Sequence, residues 1–206
     1  YGCNSADGLS KYNTESFNRL RNDFNSGKFK GRAYYVSLYV LIVYAFNNQI
    51  RFNSKNEFNL PVGKRDFNKK MEEKLRLFLE AIKKQDCIFS CKDFRKVDTN
   101  NLGDNDFLYA DPPYYITCAT YNENGGWTED DEKDLLDLLD SLDSRNIKFA
   151  LSNVIENKGK TNQFLSNWLK EHPQYKVHHL DYSYSNSNYQ SKNKNSTTDE
   201  VLITNY

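Results

Sequence analysis

Hydrophobic residues recur at helical spacing along the first 84 positions and predict three helices. The first covers residues 13–24, where Asn13 or Thr14 can cap the amino-terminal end. Residues 32–47 are apolar on almost every side, which fits a buried helix or a buried strand, and their length favours the helix. Residues 69–84 repeat apolar side chains every three or four positions and predict an amphipathic helix.

Between the second and third helices the pattern changes from helical spacing to alternation. Residues 51–60 alternate around a polar tip of Ser, Lys and Asn, which predicts a β-hairpin. Pro61 and Gly63 end this segment. We therefore expect residues 1–84 to form a mostly helical region that carries a hairpin near residues 50–61.

From residue 85 onwards short apolar runs alternate with helical segments. The predicted strands lie at residues 87–90, 107–110, 147–152, 175–180 and 201–205. Helices are predicted from Thr128, which an acid follows three residues later, and over residues 161–171. This alternation predicts an α/β fold built on a sheet in residues 85–206. Residues 181–198 are dominated by Ser, Asn, Tyr and Lys and predict a flexible loop.

Asp111, Pro112, Pro113 and Tyr114 directly follow the predicted strand 107–110. Open α/β sheets bind ligands at the carboxyl ends of their strands, which is where this group would lie. Each proline fixes its own φ angle and forces the preceding residue to be extended, so a helix cannot start at once. The carbonyl groups of Asp111 and Pro112 therefore stay available beside a carboxylate and an aromatic ring.

This group suits the activation of an exocyclic amine on a nucleobase. Such an amine is a poor nucleophile because its lone pair is delocalised into the ring. The Asp111 carboxylate and the Pro112 carbonyl can accept its two N–H hydrogens and stabilise the positive charge that develops during attack. Tyr114 can stack on a base that has left the duplex. Many Pro-Pro pairs after a strand are only turns, but the flanking acid and tyrosine favour the functional interpretation.

Charge is distributed unevenly, although the net charge of the chain is zero. Residues 27–70 contain nine lysines and arginines against two acids, a net charge of +7, while residues 129–143 are acidic. Asn and aromatic side chains lie among the positive charges. This combination favours contact with nucleic acid over a merely solvated surface.

The four cysteines form no Cys-x-x-Cys pair and are typical of reduced thiols in an intracellular protein. We expect no metal, and a zinc site from Cys87, Cys91 and a distant histidine is the alternative. No apolar run has the length needed to span a bilayer, and no signal-peptide pattern opens the chain. We therefore expect no membrane partner.

Taken together, the motifs resemble those of the Dam-like, D12 class (alpha-group) DNA adenine-N6 methyltransferases over nearly the whole chain. Residues 51–63 are similar to the family's DNA-reading hairpin, and Asp93 and Phe94 lie where the family places a carboxylate and a phenylalanine near the cofactor adenine. Residues 149–153 and 200–206 resemble its late strands. The resemblance implies an S-adenosylmethionine-dependent, Rossmann-like sheet with strand order 3-2-1-4-5-7-6.

The resemblance also implies roles for individual residues. The catalytic residues would be Asp111, Pro112, Pro113 and Tyr114. The cofactor S-adenosylmethionine would contact Asp93, Phe94 and Asp111. Double-stranded DNA would contact Phe46, Asn47, Gln49, Arg51, Asn53, Lys55, Pro61, Lys64 and Arg65. Among these, the guanidinium fork of Arg51 matches guanine O6 and N7, whereas Lys55, Lys64 and Arg65 would contact phosphates.

Two further pairs of residues could belong to the site or to the structural framework. Ser152 and Asn153 end the strand after the catalytic one, so they can line the base pocket or simply form a polar strand end. Trp127 and Trp168 are expected to be structural. In this scheme residues 1–84 are the target-recognition region and residues 85–206 the catalytic region.

One feature of the family is missing from the sequence. The Gly-rich loop that approaches the methionine end of the cofactor has no counterpart, because neither Gly2 nor Gly8 follows a strand-like run. We therefore expect the chain to begin inside a longer protein. A missing segment or a second polypeptide would supply the amino-terminal strands, and this chain alone would bind S-adenosylmethionine weakly.

The expected function is site-specific methylation of adenine N6 in duplex DNA, within a cytoplasmic restriction–modification system of a bacterium or phage. An N4-cytosine or RNA amine methyltransferase is the nearest alternative. A non-catalytic DNA-recognition fragment that needs a second polypeptide is another. The polar Gln49 departs from the GATC-reading pattern, so GATC is not assumed as the recognition sequence.

Overall fold

The structure is a computed structural model with two compact units, Tyr1–Ser90 and Cys91–Tyr206. The residues it describes are 8–117, 126–180 and 198–206. The loop predicted at residues 181–198 falls almost entirely outside the described residues, as do Cys3 and Cys118. The division between the units lies a few residues beyond the predicted boundary at residue 84, and the roles assigned to the two regions stay predictions.

Three helices form most of the first unit, and all three were predicted. They are α1 (Ser10–Asn25), α2 (Gly31–Tyr44) and α3 (Lys69–Lys84). The bounds of α3 are those predicted from the sequence, and Asn68 caps this helix by accepting a hydrogen bond from the Met71 N–H at 3.1 Å. A short 3₁₀ turn, Phe46–Asn48, follows α2.

The first helix begins earlier than predicted. Asn13 and Thr14, the predicted caps, lie inside α1, where the Thr14 hydroxyl donates back to the carbonyl of Ser10. The side chain of Leu9 makes no capping bond, but its N–H donates to the carbonyl of Lys64 at 3.1 Å. A tertiary backbone contact is therefore present at the start of α1, and the local sequence does not encode it.

The second helix is confirmed as a helix, but the prediction that it is buried is wrong. The side chain of Tyr35 is 70% exposed and that of Val36 is 53% exposed. The buried residues of α2 are Ser37, Leu41 and Val43, and Leu41 belongs to the core of this unit. That core contains Phe17, Phe24, Leu41, Ala45, Phe58 and Leu60.

Residues 51–60 reverse direction as predicted, but the regular strands of a hairpin do not form among the described residues. A single bridge joins Phe52 to Phe58, and a second bridge joins Ala45 to Val62. The rings of Phe52 and Phe58 meet edge to face at 5.7 Å. We call residues 51–62 the recognition loop, after the role that the sequence predicts for it.

Side chains supplement the short ladder of the recognition loop, in which the N–H groups of Asn53 and Asn59 donate to the carbonyls of Glu57 and Arg51 at 2.9 and 3.2 Å. The Asn53 carboxamide oxygen accepts hydrogen bonds from the N–H groups of Lys55 and Glu57, at 2.9 and 3.0 Å. Asn25, at the end of α1, donates to the carbonyl of Phe58 at 3.0 Å and accepts from its N–H at 2.8 Å. These bonds satisfy backbone groups that the short ladder leaves unpaired, so the loop needs no longer strands.

The second unit is built on a five-stranded mixed sheet in the order β1-β2-β5-β4, with β3 paired to β2. The strands are β1 (Phe107–Ala110), β2 (Lys148–Asn157), β3 (Lys160–Thr161), β4 (Lys176–Leu180) and β5 (Thr198–Thr204). β1 and β2 are parallel, whereas β5 runs antiparallel to both β2 and β4. This order matches strands 4-5-7-6 of the expected sheet, so the predicted α/β fold class is confirmed.

Two helices pack beside this sheet: α4 (Glu129–Asp143) and α5 (Gln163–Glu171). The predicted start of α4 is confirmed, because Thr128 and Asp131 form a reciprocal capping box. Asn162 caps α5 by accepting from the Leu165 N–H at 3.1 Å. The core between helices and sheet includes Leu135, Leu139, Leu142, Ile147, Phe149, Leu151, Leu165, Val201 and Ile203.

The strand predicted at residues 87–90 is wrong. These residues have no regular structure, and the side chains of Ile88 and Phe89 are 96% and 74% exposed. Among the described residues no strand lies beside them, so a backbone ladder has no partner. An apolar run is therefore a strand only where another strand pairs with it.

Leu139→Ala should lower the free energy of unfolding of the second unit by about 2–5 kcal/mol, because it leaves a cavity at a fully buried position. Asp137→Ala, at an exposed position of the same helix, is the matched control and should change stability by less than about 0.5 kcal/mol. Chemical denaturation measures both values. Equal effects of the two substitutions would contradict the proposed position of the core.

Candidate active site

The Asp-Pro-Pro-Tyr group lies at the carboxyl end of β1. Ala110, the last residue of β1, pairs with Leu151 of the parallel strand β2, so Asp111 leaves the sheet level with Ser152. None of the four residues from Asp111 to Tyr114 belongs to a helix or a strand, as their two prolines require. The group therefore lies where open α/β sheets bind ligands.

A cavity of about 650 Å³ opens at this end of β1. Asp93 and Phe94 line it together with Asp111, Pro112 and Pro113, so the structure brings together two segments that are separated in the sequence. Its apolar lining also includes Val97, Leu108, Leu135, Leu138 and Trp127. The volume lies within the range of pockets that bind small organic ligands.

Aromatic and cationic groups surround Phe94. The Trp127 ring centre lies 5.5 Å from that of Phe94, with the planes tilted by 37°. The guanidinium carbon of Arg95 lies 4.5 Å from the Phe94 ring centre, which is cation–π distance. The sequence reading missed Arg95 and treated Trp127 as structural only, whereas both residues line the cavity.

Carboxylates hold Arg95 in place. Its guanidinium donates to Asp131 at 2.6 Å and also to Asp134, both on α4, and lies 3.3 Å from Asp93. Asp93 also accepts a hydrogen bond from the Arg95 N–H at 2.9 Å and caps the short 3₁₀ turn Phe94–Lys96. These contacts fix the segment that carries Phe94 against the first turns of α4.

Asp131 takes part in both the capping box and this ion pair. Hydrogen bonds from Thr128 and then from Arg95 lower the pKa of its carboxyl to about 2. The pKa of Asp131 in the folded protein lies below the ordinary pKa of an aspartate carboxyl. This group therefore contributes its full stabilisation at pH values above that ordinary pKa. The stabilisation is lost as the pH falls through about 2. At neutral pH the Asp131 carboxyl is therefore ionised and can pair with Arg95.

Tyr114 is anchored through its hydroxyl group. This oxygen donates to the Glu200 carboxylate at 3.1 Å, shares a hydrogen bond of 3.2 Å with the Ser152 hydroxyl, and lies 3.4 Å from Asp111. Burial, together with the negative charges of Glu200 and Asp111, raises the pKa of the Tyr114 hydroxyl well above its ordinary value. The hydroxyl therefore stays protonated at neutral pH, and no pattern in the sequence indicated that Glu200 reaches it.

Ser152 and Asn153 face different surroundings. Ser152 contacts Tyr114, whereas Asn153 is fully buried and donates to Glu132 at 3.1 Å. Of this pair, Ser152 is therefore the one next to the Asp-Pro-Pro-Tyr group.

The predicted DNA-contact residues occupy the turn after α2, the recognition loop and the segment that follows it. Phe46 is 45% exposed, and Asn47 and Gln49 are exposed beside it. Asn47 adopts a left-handed conformation with a φ of 54°. The Phe46 N–H donates to the carbonyl of Pro61 at 2.9 Å, which connects this turn to the recognition loop.

Within the recognition loop, Arg51 is oriented by its neighbour. Its Nε donates to the Asn59 side chain at 2.7 Å, and one terminal nitrogen donates to the Asn59 carbonyl at 3.2 Å. Asn53 stabilises the tip of the loop, as described above. Lys55, Lys64 and Arg65 are exposed. The structure thus gives Asn53 a scaffolding role, and the DNA contacts predicted for these residues stay predictions.

Among the described residues no group of three or more His, Cys, Asp or Glu side chains is arranged to hold a metal ion. No helix in the described part of the chain is long and apolar enough to cross a membrane.

Comparisons with known proteins show relatives over almost the whole chain. The type II methyltransferase M.FokI of Planomicrobium okeanokoites is 43% identical to this chain over 205 residues, and the modification methylase StsI of Streptococcus sanguinis is 40% identical over 205 residues. Each alignment covers 97% of this chain but 30% of the relative. The DNA adenine methylase of Escherichia coli K12 is 28% identical over 143 residues, 68% of this chain and 50% of that protein.

The family described as "D12 class N6 adenine-specific DNA methyltransferase" matches residues 3–199, which is nearly the whole chain. The chain therefore belongs to the D12 class of N6 adenine-specific DNA methyltransferases.

Proposed function

We propose that this chain carries the methyl-transfer site for adenine N6 in duplex DNA, as the modification activity of a bacterial restriction–modification system. The observation that carries the proposal is the cavity that joins Asp93 and Phe94 to Asp111, Pro112 and Pro113 at the carboxyl end of β1. Family membership and the names of the two modification enzymes support it. A cytoplasmic location is part of the proposal, because bacterial DNA is modified there.

The cavity suits the adenosyl part of S-adenosylmethionine. An aromatic ring at Phe94 and apolar walls at Leu108 and Leu135 fit the flat adenine ring of the cofactor. Asp111 supplies a negative charge that suits its cationic sulfonium group. S-adenosylmethionine provides an electrophilic methyl group when it is bound. Asp93 lines the same cavity and would contact the cofactor, and its carboxylate also pairs with Arg95.

The Asp-Pro-Pro-Tyr group would bind the target amine. The Asp111 carboxylate and the Pro112 carbonyl accept hydrogen bonds from the two N–H groups, which favours a nucleophilic geometry and stabilises the developing positive charge. Tyr114 presents its ring to the base, and its hydroxyl bonds to Ser152 and Glu200 fix the direction of that ring. A base in this position has to leave the duplex first.

The first unit would read the DNA sequence. Phe46, Asn47 and Gln49 form an exposed turn, and Arg51 has its guanidinium plane set by Asn59. A guanidinium that is held before binding loses less freedom when it contacts guanine. The exposed cations Lys55, Lys64 and Arg65 would contact phosphates, which supply affinity but no sequence preference.

Asp111→Ala should abolish methyl transfer in the full-length protein, because it removes the acceptor that orients the amine. DNA binding should largely survive, since affinity comes chiefly from phosphate contacts. The assay measures transfer of a labelled methyl group from S-adenosylmethionine to duplex DNA and identifies the modified nucleoside. Asp104→Ala, at an exposed position before the same strand, is the control and should stay active. An active Asp111→Ala protein would end the proposed mechanism, and N4-methylcytosine as product would move the activity to cytosine.

Tyr114→Ala should slow turnover strongly and weaken binding of the flipped base by about 1–3 kcal/mol of lost stacking. Tyr114→Phe should retain more activity, because the ring face carries the proposed role and the hydroxyl only orients it. Steady-state rates of the two variants decide between these roles. If Tyr114→Phe were as inactive as Tyr114→Ala, the hydroxyl rather than the ring would be essential.

Arg51→Ala should cost about 1–3 kcal/mol of binding free energy and relax preference at one base pair. Lys64→Ala should weaken binding to all sequences alike and reduce the salt dependence. Binding titrations on matched and mismatched duplexes at several salt concentrations separate these outcomes. Arg76→Ala, on the exposed surface of α3, is the control and should change neither quantity. Unchanged sequence preference in Arg51→Ala would exclude Arg51 as the base-reading residue.

A further inference from the structure

We propose that Glu132 is a positioning residue whose buried carboxylate holds the Trp127 indole in place as a wall of the cavity. This inference rests on the proposed function only where it assigns that cavity to S-adenosylmethionine. Glu132 belongs to the first turn of α4 and contributes to neither the core of apolar side chains nor the Asp-Pro-Pro-Tyr group.

The surroundings of Glu132 are unusual for a carboxylate. Its side chain is fully buried and receives three hydrogen bonds from uncharged donors. One oxygen, Oε2, accepts from the Trp127 indole N–H at 2.6 Å. The other, Oε1, accepts from the Asn162 amide at 2.7 Å and from the Asn153 amide at 3.1 Å. Burial of a carboxylate is unfavourable unless such donors compensate it, so the network depends on this particular acid.

The three donors come from three different parts of the unit. Asn153 lies on β2, Asn162 caps α5, and Trp127 lies just before the capping box of α4. The Asn153 contact ties α4 to the sheet, and the Asn162 contact ties α4 to the cap of α5. The third ends on a residue that lines the cavity and packs against Phe94 at 5.5 Å. Glu132 thus connects the buried framework to one wall of the proposed cofactor site.

The two carboxylate oxygens have different partners, and this difference makes a selective substitution available. In Glu132→Gln the carbonyl oxygen can keep both asparagine donors, which retains two of the three hydrogen bonds. The amide nitrogen then faces the Trp127 N–H, so a donor meets a donor and the indole loses its anchor. Trp127→Phe breaks the same hydrogen bond by removing its donor, the indole N–H, and keeps an aromatic ring at the cavity.

Fluorine NMR of protein labelled with 5-fluorotryptophan tests the contact directly. The two tryptophans of this chain are Trp127 and Trp168, and Trp127→Phe and Trp168→Phe assign their resonances. Trp168 is an internal control, because its indole N–H donates at 2.7 Å to Asp140, which lies about two turns further along α4. Glu132→Gln should shift or broaden the Trp127 resonance and leave that of Trp168 unchanged. Glu129→Gln, an exposed position three residues earlier, should leave both unchanged.

An unchanged Trp127 resonance in Glu132→Gln would overturn the inference. If Glu132→Gln disturbed both resonances, the double variant Glu132→Gln, Trp127→Phe decides the matter. The donor–donor conflict is absent there, so the Trp168 resonance should return to its normal position. A Trp168 resonance that stayed disturbed would show that Glu132 acts through the asparagines and not through Trp127, which would also overturn the inference.

Kinetics of the full-length protein test the consequence for the cofactor. Glu132→Gln should raise the KM for S-adenosylmethionine roughly tenfold, as expected for a lost hydrogen bond to a charged group, and change kcat less. Trp127→Phe should have a similar effect, and the double variant should be little worse than either single variant. Fully additive effects would contradict the coupling. A wild-type protein that transferred no methyl group would refute the proposed function, while the fluorine spectra would still decide the Glu132–Trp127 contact.

Discussion

The parallel pairing of β1 with β2 is the contact on which the candidate site depends. Four residue pairs, from Phe107 opposite Lys148 to Ala110 opposite Leu151, set where the chain leaves the sheet. The register brings Tyr114 within hydrogen-bonding distance of Ser152 on β2. The antiparallel pairing of β5 with β2 then brings Glu200 to the same hydroxyl. A shift of one residue would turn alternate side chains to the opposite face and separate these groups.

Local signals in the sequence predicted the elements that depend on local interactions. The bounds of α3 and the capping box of α4 both follow from residues within one turn of the helix end. Elements that depend on distant partners were predicted less well. The start of α1 coincides with a hydrogen bond from the Leu9 N–H to the Lys64 carbonyl. Residues 87–90 have the sequence pattern of a strand but form none, because no described strand pairs with them.

The candidate site was predictable to the extent that its residues are contiguous in the sequence. The Asp-Pro-Pro-Tyr group is recognisable from its four consecutive residues, and the resemblance to the family indicated Phe94. Arg95, Trp127 and Glu132 were missed because their importance comes from contacts across the fold. An arginine that bridges to α4 and a glutamate that accepts an indole N–H look like ordinary helix-surface residues in a linear sequence. The roles of the residues in contact with DNA and cofactor stay predictions.

The clamp between Asn25 and Phe58 has a consequence for how this family can diversify. One asparagine on α1 satisfies both backbone groups of Phe58, and the carboxamide of Asn53 supports the tip. The conformation of the loop is therefore maintained by residues outside the exposed tip at positions 54–56. Ser54 and Lys55 can therefore be exchanged without loss of the loop geometry, whereas Asn56 has a φ of 59° and is best replaced by glycine or aspartate. New surface chemistry can thus evolve, or be engineered, on a scaffold whose stability is fixed elsewhere.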